Sequence, residues 1–83
     1  MLTRINNVIA GALHSIPHYN ELHKIAENNG DNRIADLAEE MASREMDTAK
    51  LFISEAKDID SSWVMSAELK AAYDKALTCF DEV

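Results

Sequence analysis

The sequence predicts an all-α fold, a small antiparallel three-helix bundle formed as a single domain over residues 1–83. Two observations carry that expectation. Apolar residues recur at i, i+3, i+4 and i+7 along nearly the whole chain, the mark of amphipathic helices. Helix breakers are scarce: two glycines and one proline stand among many Ala, Leu, Glu, Met and Lys residues, a composition that favours helix. No stretch alternates in the manner of a strand. A chain of 83 residues buries only about 60% of its unfolded surface, so stability should be modest. A large enclosed active site is not expected within one copy.

The first element starts at Thr3, a plausible N-cap. Ile5, Val8, Ile9, Ala12, Leu13 and Ile16 then follow helical spacing. Pro17 interrupts: it lacks an amide donor and clashes with the carbonyl four residues back, so the helix should kink or restart there, with Ser15 or Ile16 as a new cap. Tyr19, Leu22, Ile25 and Ala26 continue the apolar face to Asn28, Asn29, Gly30 and Asp31. In that turn Gly30 suits the left-handed conformation that ends a helix, and Asp31 suits the cap of the next.

The second element, over residues 31–57, is the longest uninterrupted helical pattern, and the chain is expected to be organised around it. At about 100° per residue, Ile34, Leu37, Ala38, Met41, Ala42, Ala49, Phe52, Ile53 and Ala56 share one face. Asp36, Glu39, Glu40, Asp47 and Lys50 lie opposite. Glu45 breaks the pattern, projecting into the apolar stripe near Met41, Ala49 and Phe52. A carboxylate there costs several kcal/mol unless it is paired or open to water.

A break over residues 58–62 follows, with Asp60 or Ser61 as the N-cap of a last helix. Met65, Leu69, Ala72, Tyr73, Ala76, Leu77 and Phe80 line one face of that helix. Trp63 and Val64 fall off the stripe, either covering the end of the bundle or forming an apolar patch for a partner. The three elements hold roughly 27, 26 and 22 residues, or about 33 to 40 Å each at 1.5 Å per residue. Rods of matched length joined by short turns make an antiparallel bundle. A full break at Pro17 would instead give four helices. The long second helix also suits a homodimer that buries leftover apolar surface.

Charge is unevenly spread. Residues 1–30 hold Arg4 and Lys24 against Glu21 and Glu27, so the whole net charge of −7 falls in residues 31–83. Direct nucleic-acid binding, which needs clustered Lys and Arg, is not expected. An acidic surface suits a basic protein partner through electrostatic steering. The single cysteine, Cys79, excludes an internal disulfide and fits a reducing compartment. With no apolar run near the roughly 18 residues that span a membrane and no signal-peptide pattern, a cytoplasmic location is expected.

His14, His18 and His23 lie close in sequence, but Pro17 falls between the first two and no second ligand set has regular spacing, so neither metal nor cofactor is expected. His18 points near the apolar side of Leu22 and Ile25 and is a candidate partner for Glu45. Tyr19, Tyr73 or a cation from a second copy are the alternatives. A buried polar contact of this kind is more often structural than catalytic.

Glu39, Glu40 and Glu45, followed by Glu55 and Asp58, resemble the acidic helices of MazG-type nucleotide pyrophosphohydrolases, small all-α enzymes that hold Mg²⁺ with carboxylates. That resemblance spans residues 39–58 and would imply hydrolysis of nucleoside triphosphates. It departs from the family in its E-E-x-x-x-x-E spacing and in placing Asp58 at a helix end. Glu39 and Glu40 face solvent while Glu45 points inward, which opposes convergence on one ion. Residues 68–77 are similar to a helix of a small acidic immunity protein of type VI secretion systems, a class that binds and silences a toxin.

The leading expectation is a non-enzymatic acidic module that binds a protein partner, in the manner of a small adaptor, inhibitor, immunity-type or mobile-element accessory protein. Its expected contact residues are Asp36, Glu39, Glu40, Asp47, Asp58, Asp60 and Trp63. The alternative is a metal-dependent pyrophosphohydrolase-like enzyme using helical carboxylates.

Overall fold

A computed structural model describes residues 1–81. Three helices form it, α1 (Leu2–Asn28), α2 (Asn32–Ile59) and α3 (Ala67–Asp81), with no strand among the described residues.

α1 begins before Thr3. Met1 is its N-cap and supplies no side-chain bond; the Ile5 amide donates to the Met1 carbonyl at 3.1 Å. Thr3 therefore lies inside the helix, not at its cap. α1 is also helical through Pro17, so the four-helix alternative is incorrect, and neither Ser15 nor Ile16 caps a second helix. Pro17 withholds one amide from the ladder, but Leu13 and Ile16 are almost fully buried beside it. Their packing holds the helical backbone through the defect.

The turn matches its sequence. The Asn29 amide donates to the Ile25 and Ala26 carbonyls, and the Asp31 amide to the Ala26 carbonyl at 2.9 Å. Gly30 has φ 73°, a conformation that costs other residues a Cβ clash. Asp31 Oδ1 then accepts from the Ile34 amide at 3.1 Å, capping α2.

The buried row of α2 is Ala35, Ala38, Ala42, Met46, Ala49 and Ala56. It is rotated from the expected face: Leu37 is 50% exposed, Ile34, Met41, Phe52 and Ile53 are half-buried, and Met46, not assigned to the core, lies within it. The physical reason is complementarity of size. Facing α1 offers Ile5, Ile9 and Ile16, and a row of alanines accepts those bulky side chains where larger residues would collide.

α3 is shorter than expected, and the rods do not match: 27, 28 and 15 residues. Its cap is Ser66, whose Oγ accepts from the Leu69 amide at 3.1 Å. Asp60 instead follows the end of α2, where its Oδ1 accepts from the Ser62 amide and hydroxyl at 3.0 and 2.6 Å. That local turn keeps the preceding loop out of the helix.

α1 is the central helix. It packs against both α2 and α3, whose backbones scarcely meet, so the expectation that the chain is organised around the second helix is corrected. The polar contacts joining α1 to α2 fall at Ser15 with Glu45 and His23 with Ala35: approaching the turn on one helix approaches it on the other. Ile9, Leu13 and Ile16 form the centre of the core, flanked by Leu69, Ala72 and Ala76 of α3. The molecule measures 47 × 19 × 16 Å. No helix among the described residues is long and apolar enough to cross a membrane.

Candidate functional site

Near the turn, the end of α3 leaves a groove of about 220 Å³ between the helices. Its floor is apolar: Ala38 and Ala42 are buried, and Tyr19 and Phe80 are half-buried. Its rim is acidic, with Glu27 from α1 and Asp36 and Glu39 from α2, all exposed. Both carboxylates of α2 that sequence reasoning singled out near the turn, Asp36 and Glu39, are brought together here.

His23 stands among them with 23% of its side chain exposed. Its Nδ1 lies 2.7 Å from the Ala35 carbonyl, and its Nε2 lies 3.3 Å from Glu27 Oε1. Both ring nitrogens face acceptors, an arrangement only the imidazolium satisfies fully. Its pKa is accordingly raised above 6.5: the Ala35 hydrogen bond contributes most, partial desolvation opposes it, and the Glu27, Glu39 and Asp36 carboxylates add to it. Sequence reasoning weighed His23 only as a metal ligand and missed this pairing. The available signal was His23-x-x-x-Glu27, one helical turn apart.

The other expected contact residues disperse. Glu40 is held at 2.6 Å by Arg44 on the exposed side of α2. Asp47 is exposed further along that helix. Asp58 and Asp60 are exposed at its far end, roughly 33 Å from Asp36 at 1.5 Å per residue. Hydrogen bonds from the Ser62 hydroxyl and then its amide hold the Asp60 pKa below its usual value. Trp63 is half-buried and packed against the core, and its Nε1 donates to Asn6 Oδ1 at 3.2 Å.

Glu45 is half-buried, and its polar neighbour is Ser15, at 3.2 Å from Oε2. His18 is not its partner. Its side chain is exposed, because its position in α1 lies beyond the buried row set by Ile9 and Ile16, on a second groove lined also by Pro17, Glu68 and Lys75.

Among the described residues, no three His, Cys, Asp or Glu side chains gather in a group able to hold a metal. Compared with protein-family models, curated proteins and solved structures, the chain matches none.

Proposed function

We propose that this chain is a non-enzymatic interaction module, a cytoplasmic acidic three-helix bundle with antiparallel neighbours and a bend at Pro17. It takes a basic segment of a protein partner, a lysine or arginine side chain entering the groove between Tyr19, Asp36, Glu39 and Phe80. Small adaptors, inhibitors, immunity-type and mobile-element accessory proteins act in this way. One observation carries the reading: an apolar floor of Tyr19, Ala38, Ala42 and Phe80 lies under a rim of three exposed carboxylates, Glu27, Asp36 and Glu39. An apolar floor suits the methylene stem of Lys or Arg while the rim meets its charge.

Titration calorimetry at low salt with a Lys/Arg-rich peptide tests it. Asp36→Asn with Glu39→Gln is expected to weaken binding by about tenfold or more, roughly 1.4 kcal/mol, whereas Asp58→Asn with Asp60→Asn should change it little. Equal losses in the two variants, or no binding by the parent, would overturn the groove reading. The enzymatic alternative separates in a thermal melt with Mg²⁺ or Mn²⁺: an ion held by carboxylates raises Tm by mass action, and a dispersed acidic surface barely does.

A further inference from the structure

His23 reaches from α1 to the first turn of α2, and both of its ring nitrogens face acceptors: Nδ1 lies 2.7 Å from the Ala35 carbonyl and Nε2 lies 3.3 Å from Glu27 Oε1. A neutral imidazole carries one proton and satisfies only one of the two. The Ala35 carbonyl makes the shorter contact and is fixed in the α2 backbone, so the proton that remains stays on Nδ1. Loss of the other leaves the Nε2 lone pair facing a carboxylate oxygen, two acceptors with no hydrogen between them.

The surroundings of the ring make that proton matter to the groove. Tyr19 and Glu27 of α1, Asp36 and Glu39 of α2 and Cys79 of α3 line the groove with His23. Among the described residues no Lys or Arg does so; Lys24 and Lys75 line the neighbouring groove, which shares Asn20 and Cys79 with this one. Of these side-chain types, imidazole is the one that ordinarily changes charge between about pH 5 and pH 8. Protonated, His23 is the groove's internal cation. Neutral, it leaves the three carboxylates uncompensated and adds Nε2 as a further acceptor.

We propose that the groove is gated by this proton: a basic side chain of the partner takes the place of the Nε2 proton of His23, its own N–H donating to Glu27 and to the bare Nε2. The gate rests on the reading of the groove as the seat of a basic segment. Two cations held over the same carboxylates repel each other, and by linkage the effect is reciprocal: an occupant that expels the proton is itself weakened by it. Affinity therefore rises as pH increases through the His23 midpoint, which is raised above 6.5 chiefly by the Ala35 hydrogen bond. The proton that stabilises the empty groove opposes its occupant.

Calorimetry with a histidine-free, acetylated and amidated Lys/Arg-rich peptide, whose own charge is constant over the interval, tests this at about pH 5.5 and about pH 8. The parent should bind roughly fivefold or more tightly at the higher pH, and binding should release protons, read from how the heat varies with the ionisation enthalpy of the buffer. His23→Gln keeps the three carboxylates, Cys79, His14 and His18, and its affinities at the two pH values should agree within about twofold. A second measurement needs no variant: in imidazole nitrogen NMR of the parent, the neutral His23 ring should carry its proton on Nδ1, and saturating peptide should lower the His23 midpoint. A midpoint unmoved by peptide, or a full pH slope surviving in His23→Gln, would overturn the gate. Equal affinity of the parent at both pH values overturns the gate and leaves the groove reading standing, whereas no binding at either pH overturns the groove reading and the gate with it.

Discussion

The Ser15 hydroxyl stands 3.2 Å from the Glu45 carboxylate and 2.7 Å from the Ala12 carbonyl, so one proton serves two acceptors. Glu45 therefore has a hydroxyl neighbour inside the chain and water on its other side. Replacing it by leucine removes one shared hydrogen bond, worth about 1 kcal/mol or less, and adds apolar surface beside Met41 and Phe52. Glu45→Leu is expected to be at least as stable as the parent. A loss of more than about 1 kcal/mol in urea unfolding would mean that the carboxylate has a stronger partner than Ser15.

Pro17→Ala should restore an amide donor in a helix that is already continuous through this position. A gain of about 1 kcal/mol or more is expected, read as a raised Tm. Marked destabilisation would show that the proline ring or a bend it imposes is needed for α3 to pack.

His23 gives stability a pH dependence of definite sign. Its folded pKa is raised above 6.5, so the folded state binds the proton more tightly than the unfolded chain. The contribution is fully present below pH 6.5 and fades as pH rises through the folded value. Urea unfolding across that interval should show declining stability in the parent, and His23→Gln should flatten the decline. An identical slope in both proteins would remove His23 as its source.

The sequence by itself determined the helical class, the turn and the first half of the core. Helical spacing placed Ile5, Val8, Ile9, Ala12, Leu13 and Ile16 on one face of α1, and all but Val8 are buried. Gly30 and Asp31 end one helix and cap the next by local chemistry that needs no distant contact. Tertiary structure decided which helix is central, how far α2 is rotated, and where α3 begins. Periodicity gives a helix an apolar side wide enough for several rotations, and only the fit of bulky Ile residues against Ala42, Ala49 and Ala56 selected one, leaving Leu37 half bare. Ser66 prevailed over Asp60 as the cap because Asp60 is occupied by Ser62, a choice between two competent residues that spacing does not rank. Asp36 and Glu39 were legible as exposed acids on one helix. Their convergence with Glu27 and His23 depended on the turn bringing α1 beside α2, and the groove they share exists because α3 reaches it with Cys79 and Phe80.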